Sequence, residues 1–179
     1  MIYFVLKCVY LILPGIFANS APVIFRNMFK KLAIPVDLNT KINGKPVFGK
    51  NKTYRGFLVG TISSIIVSYI QSVLYRYNFF SRLSFIDYSN WLLFGFLIGF
   101  GVLFGDLIGS FIKRRIGISS GESFVPLDQL SSPIGAILFI SIVYIPSWAT
   151  IFTIVIIAFI FHILFNHVGY YLKLRKKRW

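Results

Sequence analysis

Long apolar segments constrain this chain more than any other feature of its sequence. A helix needs about 20 mostly apolar residues to cross the hydrocarbon core of a bilayer. Five segments suit such helices, at about residues 2–25, 57–74, 91–112, 134–145 and 148–172. Charged residues make up only 13% of the chain, about half of their usual share in soluble proteins. The sequence therefore predicts an all-α integral membrane protein, a single domain over residues 1–179 with five transmembrane helices.

The distribution of cations predicts how these helices are oriented. Of the 19 Lys and Arg residues, 16 lie within residues 26–56, within residues 113–133 or after residue 172. Only Arg76 and Arg82 lie in the other two loops. Because Lys and Arg accumulate on the cytoplasmic side of membrane proteins, we expect the N-terminus outside and the C-terminus in the cytoplasm. The two cytoplasmic loops are then those at about 26–56 and 113–133.

A carboxylate interrupts the third apolar segment. Asp106, Ser110 and Lys113 follow one another at helical spacing, so they share one face of the helix. An ionisable residue within a span is costly and by default marks a functional interior or a water-filled cavity. The alternative is an ion pair between Asp106 and Lys113 that only closes the end of the helix.

A second group of acidic residues follows that helix. Residues 117–136, GISSGESFVPLDQLSSPIGA, are rich in Gly, Ser and Pro and contain Glu122 and Asp128. Carboxylate oxygens bind Mg²⁺, while Lys and Arg bind phosphate oxygens. Carboxylates among so many cations therefore predict a site for Mg²⁺ and a polyphosphate. The remaining acidic residues of the chain are Asp37 and Asp87.

The first cytoplasmic loop contributes glycines and further cations, in NGKPVFGKNKTYRGF at residues 43–57. Gly44 to Asn51 nearly matches the phosphate-loop pattern. We reject that match because Asn51 replaces the Mg²⁺-binding hydroxyl and no buried strand precedes the loop. A cationic loop beside the membrane remains, and it includes Lys52 and Arg55. A topology signal that also binds lipid headgroups would account for some of these charges.

The formal charge of +14 needs an anionic partner, but a mostly apolar chain has little room for a basic nucleic-acid-binding face. Membrane lipids and polyphosphates are the better candidates, and we expect no nucleic acid. Within the apolar segments, Asn19 lies near the cytoplasmic end of the first, and His162 lies one turn from Asn166 in the fifth. We interpret His162 as a residue that bonds neighbouring helices.

Five short segments resemble, in the same order, those of the archaeal CDP-archaeol synthases, which are relatives of the CTP:phosphatidate cytidylyltransferases. They are FANSAP, INGKPVFGKNKTYRGF, FGDLIGSFIKRRIG, PLDQLSSPIGA and HILFNHVGY. The resemblance reaches from the first span to about residue 172. It implies a five-span enzyme of the cell membrane that transfers CMP from CTP to a geranylgeranyl ether lipid phosphate. It also implies release of pyrophosphate and a need for Mg²⁺.

Two positions depart from the pattern of that family. Gly109 stands where a Lys often precedes the Ser of SF.KRR, and Ser131 stands where an acidic residue usually follows DQL. The second departure removes one potential metal ligand. Either two carboxylates suffice together with phosphate oxygens and water, or Glu122 substitutes for the missing one.

The resemblance, together with the residue pattern, predicts the site residues. Asp106 and Asp128 would hold Mg²⁺, and Lys113 and Arg114 would complete the catalytic set. The apolar grooves between the spans would take the two isoprenoid chains. The other expected substrate-binding residues are Asn19, Lys45, Lys52, Thr53, Arg55, Ser110, Arg115 and Gln129.

Other functions stay open at this point. A related enzyme would use diacyl phosphatidate, and a CTP-dependent kinase would phosphorylate an isoprenoid alcohol. An anion transporter is expected to show inverted repeats, and the sequence contains none. A non-enzymatic protein that binds anionic lipid would explain the basic tail at residues 173–179 but not Asp106 or Asp128.

Overall fold

The computed structural model describes residues 1–171, and the basic tail lies outside the described residues. The described chain is helical apart from its connecting loops and one two-stranded hairpin. The helices are α1 (Ile2–Ile24), α2 (Tyr54–Leu74), α3 (Asn78–Leu83), α4 (Trp91–Arg115), α5 (Leu127–Ile140) and α6 (Trp148–Tyr171). The antiparallel hairpin pairs β1 (Lys41–Ile42) with β2 (Lys45–Pro46). The predicted all-α class is confirmed.

Four of the described helices, α1, α2, α4 and α6, are long and apolar enough to cross a membrane. The fifth candidate, α5, has 14 residues, which corresponds to about 21 Å at 1.5 Å per residue. That is shorter than the hydrocarbon core of about 30 Å. The chain is thus a multi-pass helical protein, while the count of five spans and the orientation stay predictions.

The helix boundaries differ from those predicted at the start of α5 and at the end of α4. Helix α5 begins at Leu127, seven residues before the expected start at 134, so the last seven residues of the predicted loop are helical. Helix α4 continues through Arg115, beyond the expected end at 112. Hydropathy marks where apolar residues begin, whereas these helices carry polar turns at their ends. Pro126 precedes α5. The Asp128 carboxylate in the first turn interacts favourably with the positive end of the helix dipole and so stabilises this helix start.

Helices α4 and α5 touch through their backbones. A Cβ on Gly105 would lie 2.1 Å from the carbonyl oxygen of Ser131, and one on Gly135 would lie 2.2 Å from that of Gly101. Only glycine allows so close an approach at these positions, as in the small-residue interfaces of membrane helices. This contact holds the start of α5 beside the polar end of α4.

The outer faces of the helices are apolar and exposed. Ile62 and Ile66 on α2 are 46% and 53% exposed, and Ile156 and Ile160 on α6 are 59% and 58% exposed. Monomeric soluble proteins rarely expose contiguous apolar faces of this kind. The faces suit contact with lipid chains.

Candidate active site

A polar cavity of about 690 Å³ opens where the ends of five helices meet. The C-terminal halves of α1, α4 and α6 reach it, and so do the N-terminal ends of α2 and α5. The loops at 25–53 and 116–126 close its sides. Each helix contributes lining residues, among them Asn19 from α1, Gly56 from α2, Ser110 from α4, Asp128 from α5 and Asn166 from α6.

Most of the predicted site residues line this one cavity. They come from α1, from both loops and from the facing ends of α4 and α5, so positions more than 100 residues apart are brought together. The nine that line it are Asn19, Lys52, Thr53, Asp106, Ser110, Lys113, Arg114, Glu122 and Asp128.

Lys113 forms the ion pair that joins α4 to α5. Its Nζ lies 2.6 Å from Oδ1 of Asp128 and donates to the carbonyl oxygen of Glu122 at 2.8 Å. The other carboxylate oxygen of Asp128 accepts the backbone N–H of Phe124 at 2.8 Å. The alternative in which Lys113 pairs with Asp106 on its own helix is therefore wrong.

Asp106 pairs instead with a residue of the first loop. Nζ of Lys52 donates to Oδ2 of Asp106. The backbone of Lys52 is itself fixed, because its N–H donates to the carbonyl oxygen of Gly49 at 3.1 Å and its own carbonyl accepts from Val36 at 2.8 Å. The two ion pairs thus connect α4 to the first loop on one side and to α5 on the other.

Arg114 is a buried cation of the cavity with unsatisfied hydrogen-bond donors. Its side chain is only 4% exposed, and its Nε and Nη2 atoms have no hydrogen-bond partner within the described residues. Buried N–H groups without a hydrogen-bond partner are unfavourable, because their desolvation is not compensated. A phosphate oxygen in the cavity would supply that partner, and planar guanidinium groups bind phosphate well.

Two predicted substrate-binding cations lie outside the lining and hold the hairpin instead. Nη1 of Arg115 donates to the carbonyl oxygen of Ile42 at 3.0 Å, and Nη2 donates to those of Lys45 and Pro46. Nζ of Lys45 returns a bond to the carbonyl oxygen of Arg115 at 3.3 Å. These contacts fasten the hairpin to the end of α4. Substrate contact by Lys45 or Arg115 stays a prediction.

Two further predicted residues have structural contacts near the start of α2. Oγ1 of Thr53 accepts the N–H of Gly56 at 3.2 Å and so caps the helix, although Thr53 also lines the cavity. Nη1 of Arg55 donates to the carbonyl oxygen of Arg26, and Arg55 does not line the cavity.

An apolar cavity of about 270 Å³ adjoins the polar one, between α1, α4, α5 and α6. Its wall includes Ile12, Val102, Ala136 and Phe161, together with Gln129, which is 3% exposed. Both cavities share the lining residues Asn19, Val23, Asp128, His162 and Asn166.

His162 and Asn166 therefore belong to the boundary between the cavities, which the sequence interpretation of His162 missed. Their spacing of one helical turn was the available signal, since it places both residues on one face of α6. An amide beside an imidazole on that face is an uncommon pattern in a helix that is otherwise apolar.

The acidic residues of the cavity fit a metal ion that is bound jointly with phosphate. Within residues 1–171, no three His, Cys, Asp or Glu side chains lie close enough to form a metal site by themselves. Asp106 and Asp128 face the same cavity, and each is paired with a lysine. Mg²⁺ is commonly held by one or two carboxylates, with substrate phosphates and water completing its shell. Oε2 of Glu122 accepts the N–H of Ser119, so the Glu122 carboxylate is bonded within its own loop.

The fold and the cavities define a multi-pass membrane protein in which a cation-lined polar space adjoins an apolar one. The family model of CarS-like CDP-archaeol synthases matches residues 1–179, and this chain belongs to that family. The resemblance inferred from the five segments is thereby confirmed.

Relatives and a solved structure agree with this assignment. A CDP-archaeol synthase of Archaeoglobus fulgidus is 32% identical, with both chains covered completely. One from Pyrobaculum islandicum is 34% identical over 100% of this chain and 99% of the relative. A solved structure of an intramembrane enzyme for archaeal membrane lipid biosynthesis matches with a TM-score of 0.72 and 26% identity. The match covers 88% of this chain and 91% of that one.

Proposed function

We propose that this chain transfers CMP from CTP to the phosphate of 2,3-bis-O-(geranylgeranyl)-sn-glycerol 1-phosphate. The products are unsaturated CDP-archaeol and pyrophosphate. The observation that carries the proposal is the boundary at Asp128, where a cation-lined polar cavity meets an apolar one. A lipid phosphate with apolar chains and a soluble triphosphate can meet only at such a boundary. Membership of the CDP-archaeol synthase family supports the same reaction.

The reaction requires the protein to position the reactants and to supply positive charge. It does not require a nucleophile from the protein, because the lipid phosphate is itself the nucleophile. An oxygen of the lipid phosphate attacks the α-phosphorus of CTP, and the bond from that phosphorus to the bridging oxygen of the β-phosphate breaks. Pyrophosphate leaves with the electron pair. Both reactants are anions, so fixed positive charge must hold them together and stabilise the leaving group.

Three cations of the cavity are suited to this task. Lys52 and Lys113 each pair with one of the two carboxylates, and Arg114 lines the same cavity with two N–H donors that have no partner within the described residues. We assign these residues to the triphosphate and the lipid phosphate. Asp106 and Asp128 would hold Mg²⁺, which neutralises phosphate charge when it is bound. The carboxylates and lysines would then exchange their present partners for metal and phosphate.

The placement in the membrane follows from the cations. The polar cavity lies at the end of the bundle that carries the loop rich in Lys and Arg, so we assign it to the cytoplasmic face. CTP would then enter from the cytoplasm. The apolar cavity would hold isoprenoid chains. If the chain crosses the membrane five times, the short helix α5 together with the turns after it forms the fourth crossing.

Purified protein in detergent, with labelled CTP and Mg²⁺, tests the proposal. We expect labelled CDP-lipid from the geranylgeranyl ether phosphate, and loss of product when EDTA is added. Product from diacyl phosphatidate alone would move the substrate to the ester lipids. Phosphorylation of geranylgeraniol would indicate the kinase. Absence of product from all three, with a folded protein, would refute a CTP-dependent activity.

A further inference from the structure

Asp37 lies outside the cavity, yet its carboxylate organises the first loop. Oδ2 accepts the backbone N–H groups of Phe48 and Gly49, both at 2.9 Å, and Oδ1 accepts that of Asn39 at 3.1 Å. The residue is 9% exposed. Three N–H donors on one buried carboxylate make it the most completely bonded acidic group among the described residues.

These bonds also explain the ionisation of Asp37. Burial acts to raise its pKa, but the N–H groups of Gly49, Phe48 and Asn39 together outweigh that effect and hold the pKa below its ordinary value. Asp37 is therefore charged at neutral pH.

The backbone that Asp37 binds continues directly into the cavity wall. Gly49 has φ +96°, which a side chain would strain, and a Cβ there would lie 2.8 Å from Oγ of Ser120 and 3.2 Å from Nη1 of Arg114. The N–H of Lys52 donates to the carbonyl oxygen of that same Gly49. The turn thus contacts the second loop on one side and sets the direction of Lys52 on the other.

We propose that Asp37 is a positioning residue of the active site: by holding the turn at 48–49, it places Lys52 against Asp106. The inference rests on the proposed function for its kinetic consequence, although the structural part stands apart from it. Asp37 itself lines neither the polar nor the apolar cavity, so it acts through the 47–53 segment, of which Phe48, Asn51, Lys52 and Thr53 line the polar cavity.

Two substitutions separate the contributions of shape and bonding. Asp37→Leu keeps the branching of the side chain but removes every acceptor. Asp37→Asn keeps one oxygen, which suffices for the two bonds to Phe48 and Gly49. Asp87→Leu is the matched control, because Asp87 also accepts a backbone N–H, that of Ser89 at 2.9 Å, but does not line either cavity.

Hydrogen exchange of the protein in detergent tests the structural part. We expect Asp37→Leu to lose protection of the amides at 47–53, Asp37→Asn to lose less, and Asp87→Leu to leave that segment unchanged. Unchanged protection at 47–53 in a folded Asp37→Leu protein would overturn the proposal, whatever the enzyme does.

Kinetics test the consequence for Lys52. A displacement of about 1 Å at a reacting group can cost about 100-fold, so we expect kcat/KM for CTP to fall about 10- to 100-fold in Asp37→Leu. Asp37→Asn should recover part of this loss. In a Lys52→Met background, Asp37→Leu should cost little more, because two residues that act through one contact are not additive.

The outcomes of the two tests are distinguishable. Full additivity of Asp37→Leu and Lys52→Met would show that Asp37 does not act through Lys52. Normal turnover despite lost protection at 47–53 would remove it from the positioning role. An inactive wild-type protein would refute the proposed function, whereas hydrogen exchange would still decide whether Asp37 holds the segment.

Discussion

Nζ of Lys113 lies 2.6 Å from Oδ1 of Asp128, and both side chains line the polar cavity. Lys113 lies in the last turn of α4 and Asp128 in the first turn of α5, so this ion pair joins the two helices beside their glycine contact. Their side chains are 10% and 21% exposed, which leaves the carboxylate open to a ligand in the cavity.

Asp128→Asn should abolish turnover while the protein still folds. The amide would keep an oxygen for the N–H of Phe124, but it would lose the charge required for Mg²⁺. We expect the rate of CDP-lipid formation to fall at least about 100-fold. Size-exclusion behaviour and the melting temperature report folding, and a folded variant with normal activity would exclude Asp128 from the metal site.

Lys52→Met should weaken the use of CTP. A hydrogen bond to a charged group contributes about 1.5–3 kcal/mol, so loss of one to a phosphate should raise the apparent KM for CTP about 10- to 100-fold. Titration of CTP at a fixed mole fraction of lipid measures this change. Lys41→Met is the matched control, since Lys41 lies on β1, is exposed and does not line the cavity. Equal effects of the two substitutions would indicate only a general loss of charge.

Gly105→Ala should destabilise the contact between α4 and α5. The added methyl group would lie 2.1 Å from the carbonyl oxygen of Ser131, so the helices must separate. Overpacking of this kind costs about 1–3 kcal/mol. Thermal unfolding in detergent measures this loss of stability. A glycine-to-alanine substitution in another helix, Gly56→Ala, serves as the control.

Gly56→Ala is that control. The nearest atom to a Cβ on Gly56 would be Oγ1 of Thr53, at an ordinary 3.5 Å. Alanine is the better helix former, so Gly56→Ala should leave the stability unchanged or raise it by about 0.5–1 kcal/mol. Equal losses of stability at both positions would contradict the close contact of α4 with α5.

Asp37→Asn should cost stability at neutral pH and cost less in acid. The pKa of Asp37 is lower in the folded protein than in the unfolded chain. Its charge therefore contributes stability above the unfolded pKa of about 3.9, and that contribution is lost as the pH falls through the lower folded pKa. Melting temperatures of the wild type and the variant should converge over that acidic range. A difference independent of pH would show that the charge of Asp37 does not stabilise the loop.

Much of the site could be predicted from local sequence. Asp106, Ser110 and Lys113 lie on one helical face, and the acids at 122 and 128 follow in a short loop, so their proximity is nearly dictated by the chain. A carboxylate in an apolar span is also too costly to be incidental. The structure places all five at one cavity.

The partners of the cations could not be predicted in the same way. Lys45, Lys52 and Arg115 all carry one positive charge, yet of these three only Lys52 reaches a carboxylate in the cavity. The difference arises from backbone carbonyls offered by a hairpin of two-residue strands and from the turn that Asp37 holds. Such contacts depend on the path of the loop, which periodicity and charge do not encode.

The two departures from the family pattern turn out to be one local feature. A Cβ on Gly109 would lie 2.6 Å from Oγ of Ser131. A larger residue at either position would need a different neighbour at the other. Their proximity follows from the register of α4 against α5, which the local sequence pattern does not predict.

The shared wall of the two cavities has a kinetic consequence. The two reactants of the proposed reaction reach Asp128 by different routes. CTP diffuses in three dimensions through water, whereas the lipid diffuses laterally within the bilayer. The lipid's effective concentration is therefore its mole fraction among the surrounding lipids or detergent. Dilution of the substrate with inert detergent should slow the reaction even when every bulk concentration stays constant, whereas dilution with water should act through CTP alone.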